Sequence, residues 1–332
     1  MTWLSDAALD RLREAADHPD LSGTRYELRG VLGRGGMSTV FRARDRALDR
    51  EVALKVMAAE GEGTVSRLRT EARVLARLEH PGLVPVHDVG TLPDGRVFYV
   101  MRLVRGRRLD AHAREERSLS ALLRLFERVC EAVAFAHAQG VLHRDLKPAN
   151  VMVGPFGEVL VLDWGLAKEV AAAPAREAAP VSPPGARSET VALGSALADA
   201  PTRTRRGAVL GTPGFMAPEQ ARGEVDALDE RADVYALGAM LRFLLETRED
   251  DAPRALRAVA AKASADDPAE RYGSVAALAD DVSRFLSADP VAAHREGPLE
   301  RAGRVASKYR VPITLVTAYL LMRVLLAVFA RV

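Results

Sequence analysis

Short β-rich runs broken by turn residues alternate with stretches of helical spacing along this chain. Residues 1–20 read as a short helix, with Ser5 as its cap, Leu9 and Leu12 on one face and Pro19 past its end. Tyr26 to Val40 reads as strand, glycine-rich turn, strand, and Val52 to Val56 is a β-rich run with one lysine, Lys55, inside it. Val65, Leu68, Ala72 and Leu75 recur at three- to four-residue spacing and predict a helix that carries Glu71. Leu83–Val89 and Arg96–Val104 read as strands around a Pro93-Asp94-Gly95 turn. Ala121 to Gln139 is a long helix with an apolar stripe through Leu122, Phe126, Val129, Val133 and Ala136, and Gly140 is its stop. Val151–Val153 and Val159–Leu162 follow as two short buried strands, and the run from Asp233 to Gly238 opens another apolar helix.

Composition narrows the class. A chain of 332 residues with 48% hydrophobic positions can bury a full core, as one large domain or two small ones. The net charge of +2 is too small to argue for a nucleic-acid partner. The single cysteine, Cys130, excludes an internal disulfide and fits a reducing compartment. No basic region followed by an apolar run stands at the N-terminus, so no signal peptide is expected. Glu169 to Arg206 differs in kind. Pro174, Pro180, Pro183, Pro184 and Pro201 stand there among Ala, Gly and Ser, a composition that cannot bury enough apolar surface to order itself.

The chemistry centres on His143-Arg144-Asp145-Leu146-Lys147-Pro148-Ala149-Asn150, which sets an acid, a lysine and an amide at fixed offsets in one loop. Phosphoryl transfer from ATP needs such a set: a carboxylate for the hydroxyl proton, a cation at the γ-phosphate and an oxygen for Mg²⁺. The stretch resembles the catalytic loop of protein kinases, in the serine/threonine pattern with a lysine two residues after the acid. The glycine-rich turn Gly33-Arg34-Gly35-Gly36-Met37-Ser38-Thr39-Val40, Lys55, Glu71, Asp163-Trp164-Gly165, Ala217-Pro218-Glu219, Asp233 and Arg271 follow in kinase order. Three positions depart from the family pattern: Ser38 replaces the third glycine, Arg102 stands where Glu is usual, and Trp164 stands where Phe is usual.

The resemblance spans about residues 24–288 and implies an α+β, two-lobed fold, with a β-rich small lobe at about 24–103 and a helical large lobe at about 104–288. It implies that Asp145 is the base, Lys147 a phosphate contact, and Asn150 and Asp163 the Mg²⁺ ligands. Lys55 would hold the α- and β-phosphates and pair with Glu71. Gly33, Gly35, Gly36 and Ser38 would cover the phosphates. Val40, Ala53 and Met152 would sandwich the adenine of ATP, with Met101 as gatekeeper and the backbone of Arg102 and Val104 facing it. Thr212, in the run Gly211 to Glu219, would hydrogen-bond Asp145 and Lys147. Glu219 would pair with Arg271, and Asp233 would brace the backbone of the catalytic loop. Thr204, and next to it Thr202, would be autophosphorylated and pair with Arg144. Self-association would serve that reaction in trans. The implied function is phosphorylation of serine and threonine hydroxyls on proteins. The alternative is a membrane-attached pseudokinase that binds or scaffolds. For it speak Ser38, Trp164 and the short stretch from Glu246 to Pro253, where the family usually has a docking helix. A small-molecule kinase is disfavoured by the Gly211–Glu219 run, which shapes a peptide site.

Residues 289–310 read as a basic juxtamembrane linker, and 311–330 as an apolar segment close to the ~20 residues that span hydrocarbon. Arg323 opposes insertion, but its place near the end lets it snorkel to the interface. Arg301, Arg304, Lys308 and Arg310 precede the run and Arg331 follows it. The positive-inside rule then gives a single-pass, tail-anchored protein in contact with membrane lipid, its kinase domain cytoplasmic. An amphipathic helix packed on the large lobe or lying flat on lipid is the other reading.

Overall fold

The computed structural model describes residues 18–34, 38–57, 76–164, 168–169, 214–224, 228–248 and 251–329. The N-terminal helix expected over 1–20, the helix expected over 65–75 with Glu71, Gly35, Gly36, and the insert with Thr202, Thr204 and Thr212 lie largely or wholly outside these residues.

Strands β1 (Tyr26–Arg34), β2 (Ser38–Asp45), β3 (Arg50–Met57), β4 (Val86–Thr91) and β5 (Val97–Arg102) form one antiparallel sheet in the order β1-β2-β3-β5-β4. Alternation along β2 sends Phe41, Ala43 and Asp45 inward and Arg42 and Arg44 to solvent. Phe41 joins Tyr26, Leu54, Val56, Phe98 and Val100 in the small-lobe core. The strand expected from Leu83 begins instead at Val86. Leu83 makes a lone parallel bridge to Val161, which ties the approach to β4 to the other lobe.

Beyond the sheet come β6 (Arg107–Arg108), α1 (Leu109–Glu115), α2 (Leu119–Ala138), β7 (Val141–Leu142), β8 (Val151–Val153), β9 (Val159–Val161) and β10 (Lys168–Glu169). The helices α3 (Pro218–Ala221), α4 (Glu230–Glu246), α5 (Arg254–Ala263), α6 (Val275–Leu286), α7 (Pro298–Lys308) and α8 (Arg310–Phe329) follow. Ser118 caps α2 by accepting from the Ala121 N–H, and Gly140, at φ 74°, takes the left-handed turn that ends it. The stripe of α2 meets Leu237, Met240 and Leu241 of α4 and Leu278 and Val282 of α6 in the main core. Gly238 lets α4 press against the end of α5: a Cβ there would stand 2.6 Å from that of Ala263. The architecture is thus a β-rich lobe on a helical one.

Only residues 247–253 join α4 to α5, so the short connection read from sequence is a feature of the fold. The stretch read as a linker over 289–310 contains the helix α7, which meets the large lobe through the Arg254–Glu300 ion pair at 3.6 Å and is braced by bonds near its own start. Arg304 meets Glu296 at 2.7 Å and the Ala288 carbonyl at 3.0 Å, and Lys308 meets Asp289. Among the described residues no helix is long and apolar enough to cross a membrane. In α8 the side chains past Arg323 lie outside the description. Before it Val311, Leu315, Val316, Tyr319, Leu320, Leu321 and Met322 are all about half exposed or more.

Candidate active site

A cleft of about 490 Å³ lies between the sheet and the pair β8–β9. Leu32, Gly33, Ser38, Val40 and Ala53 line it from the sheet, Tyr99 and Met101 from β5, and Met152, Val161 and Leu162 from below. Met101, Arg102 and Val104 line it where the chain leaves β5, and Asn150 and Asp163 line its inner end. Arg34 and Arg108 also line it, two cations the sequence reading passed over.

Lys55 stands on β3 with Val40 and Tyr99 opposite it in the flanking strands. Its side chain is only 6% exposed, and its Nζ lies 3.1 Å from Asp163 Oδ1 and 5.6 Å from the centre of the Tyr99 ring. A buried ammonium needs such a carboxylate. Burial pushes the Asp163 carboxyl up, but the Lys55 charge and hydrogen bond outweigh it and hold the group below the usual carboxylate range. Next to it Trp164 is buried, with its ring centre 4.6 Å from that of His143 and its indole N–H toward the Val161 carbonyl at 3.4 Å. Trp thus fills the place expected of Phe.

The loop from His143 to Asn150 is held from several directions. Asp145 accepts from Lys147 Nζ at 2.8 Å and from Asn150 Nδ2 at 3.1 Å, and the same amide nitrogen donates to the Asp145 carbonyl at 2.8 Å. The acid, the lysine and the amide are therefore one cluster. Asp233, buried in the first turn of α4, accepts the backbone N–H of His143 and of Arg144, each at 2.8 Å, and meets His137 Nε2 at 2.8 Å. Burial raises its carboxyl, but the His137 contact and the His143 N–H outweigh that and hold it below the usual range. Arg144 and Asp163 are non-glycine residues in the left-handed region, at φ 68° and 59°. Such strain costs roughly 1–3 kcal/mol each and persists only where the surroundings impose it.

Glu219, on α3, forms a two-bond pair with Arg271, at 2.6 and 2.8 Å. The other Arg271 N–H groups reach the carbonyls of Ala265, Arg231 and Asp266 at 2.7, 2.9 and 3.0 Å, so all five donors are used. Arg144 is the opposite case: its buried Nε and Nη2 have no hydrogen-bond partner among the described residues. Two residues missed in the sequence complete the site. His137, on α2, lies between Asp233 and Glu230, and Gln220, next to Glu219, donates to the Arg144 carbonyl at 2.6 Å.

Residues 26–251 match the protein kinase domain. The chain belongs to the protein kinase family. It is 38% identical over 230 residues to the serine/threonine-protein kinase pkn3 of Myxococcus xanthus, covering 67% of this chain and 37% of that protein. It is 35% identical over 237 residues to the serine/threonine-protein kinase PknD of Protochlamydia amoebophila, covering 66% of this chain and 23% of that one. It is 33% identical over 298 residues to PknD of Chlamydia trachomatis, covering 76% and 30%. The chain thus spans between about a quarter and two-fifths of the length of these curated relatives. The match to the kinase domain takes in the whole cleft and its catalytic loop.

Proposed function

We propose that this protein transfers the γ-phosphoryl group of ATP to serine and threonine hydroxyls of proteins. The observation that carries the reading is the joint placement of Asp145, Lys147 and Asn150 in one hydrogen-bonded cluster with Lys55 and Asp163 across the cleft. Asp145 accepts the proton of the substrate hydroxyl, and Lys147, on the same carboxylate, balances charge near the transferred group. Val40, Ala53 and Met152 take the adenine, and the backbone of Arg102 and Val104 faces its edge.

The residues present suit Mg²⁺. Asn150 engages its amide nitrogen on Asp145, which leaves the amide oxygen as a ligand, and Asp163 keeps a carboxylate 59% exposed to the cleft. Among the described residues no group of three or more His, Cys, Asp and Glu is placed to hold a metal. An ion held by the Asn150 and Asp163 oxygens would take phosphate oxygens and water as its other ligands. When bound, the ion supplies charge neutralisation at the phosphates.

Control by phosphorylation is part of the proposal. The two buried nitrogens of Arg144 that have no partner among the described residues call for an anion. A phosphate on Thr204, with Thr202 next, supplies one. Membrane attachment through 311–330 is a separate part. What supports it is the exposed apolar surface of α8 from Val311 to Met322, which asks for cover. A scaffolding role without turnover is less favoured, since none of the described phosphate- and metal-facing residues is replaced.

The test is transfer of labelled phosphate from Mg-ATP to a generic protein such as casein. Label on serine and threonine that disappears in Asp163→Asn supports the reading. Nucleotide binding without transfer would turn it to the scaffold.

A further inference from the structure

Arg144, immediately before Asp145, holds a left-handed backbone at φ 68°. A side chain-bearing residue stays there only when neighbours impose it. Its N–H is taken by Asp233 Oδ1 at 2.8 Å. Its C=O, the oxygen of the peptide bond that leads into Asp145, is taken by Gln220 Nε2 at 2.6 Å. Asp233 and Gln220 are 1% and 5% exposed, so neither contact is diluted by water. Residue 144 is thus gripped at both polar backbone atoms, from α4 on one side and α3 on the other. The contact on the C=O fixes the plane of the peptide from which Asp145 departs.

Gln220 is itself well founded. The residue before it, Glu219, is locked by Arg271, whose five donors are all engaged. One residue therefore connects this fully bonded ion pair to the catalytic loop. The position needs a donor of this reach. A carboxylate there would set an acceptor against a carbonyl, and an aliphatic side chain would leave the Arg144 oxygen buried with its donor lost.

We propose that Gln220 is a positioning residue for phosphoryl transfer: its amide sets the Arg144–Asp145 peptide and so the direction from which the Asp145 carboxylate meets the substrate hydroxyl. The proposal rests on the reading of Asp145 as the base. It predicts a loss in the transfer step and none in nucleotide binding, because Gln220 does not line the cleft.

The experiment compares full-length parent, Gln220→Leu and Gln220→Glu in single-turnover transfer from Mg-ATP, with Asp145→Asn alongside. Leu keeps the volume and removes the donor; Glu keeps the shape and inverts the polarity. The expected result is a transfer rate constant lower by about 10- to 100-fold, the scale of a small misplacement of a reacting group. The amplitude stays full and ATP affinity and stoichiometry are unchanged. A contact that only stabilises the fold would lower the amplitude and leave the rate constant alone. That outcome, parent-like rate constants in both variants, or a joint loss of transfer, nucleotide binding and thermal midpoint in both would overturn the proposal. If Asp145→Asn keeps the parent's rate, the reading of Asp145 has failed and the Gln220 assignment with it. If Asp145→Asn is inactive and both Gln220 variants keep the parent's rate constant, only the Gln220 assignment has failed.

Discussion

The catalytic loop and the C-terminal helix depart from the usual division of polar and apolar groups in opposite directions. Around the loop, charge goes inside: Asp233, Lys55, Glu219 and Arg271 are each less than a tenth exposed. In α8, apolar surface goes outside, from Val311 to Met322. Burying a charge is costly unless it is paired, and the buried charges of the loop find partners within the chain. Exposing an apolar helix is costly unless something covers it. Apart from Arg144, the first region is therefore self-sufficient. The second points outward, to a lipid surface in the proposal above. Arg144 belongs to both patterns: it is buried with the loop, yet two of its nitrogens lack a partner among the described residues.

The comparison can be broken first at the base. Asp145→Asn should lower transfer by about 10²–10⁴-fold, since the carboxylate that takes the proton is gone while the fold of the loop persists. A steady-state assay at saturating Mg-ATP, with circular dichroism to confirm folding, checks this. The next effect is on stability. Arg271→Met leaves the Glu219 carboxylate buried and unpaired and should cost about 3–5 kcal/mol in denaturant unfolding. A change below about 1 kcal/mol would mean that the pair is not the staple described here.

Much of this site was legible in the sequence, for a physical reason. Positions whose roles are set by short local offsets, such as Asp145, Lys147 and Asn150, keep those offsets in space and come together as one cluster. Long-range partners were legible only where a motif carried both ends, as with Glu219 and Arg271. His137 was hidden in a helical stripe. The only signal was a histidine beside the buried positions Val133 and Ala136, a polar group that must find a partner. Gln220 gave none, because α3 has four residues and no periodicity to read. The expected pairing of Lys55 with Glu71 falls outside the described residues, and the contact of Lys55 with Asp163 at 3.1 Å was not foreseen. The early start given to β4 failed because Leu83 is apolar and buried without belonging to the sheet. Composition and period cannot tell a strand from a lone bridge.

A third test uses pH. Asp163 and Asp233 are held below the carboxyl reference value of 3.8 in the fold. For such groups the folded state binds fewer protons than the unfolded chain. The stability they add is complete above that reference value and is lost as pH falls through the lower folded values. Unfolding free energy should therefore drop on acidification below about pH 4, and Asp233→Asn should flatten part of that drop. An identical acid limb in Asp233→Asn and parent would remove Asp233 from the account. The smallest expected effect on chemistry is at the other region. A chain ending at Lys308 should keep transfer within about twofold of the full chain, while losing any resistance to carbonate extraction from membranes. Full-length protein found wholly in the soluble fraction would remove the membrane from the proposal.

The central claim is that this cleft performs transfer to hydroxyl groups and that Asp145 drives it. Phosphosite mapping of the purified full-length protein after incubation with Mg-ATP, beside Asp145→Asn, tests it most directly. The account predicts phosphoserine or phosphothreonine in the parent, with Thr204 or Thr202 among the sites, and an empty map in Asp145→Asn. Equal maps in the two proteins, or no phosphate in either, would contradict it.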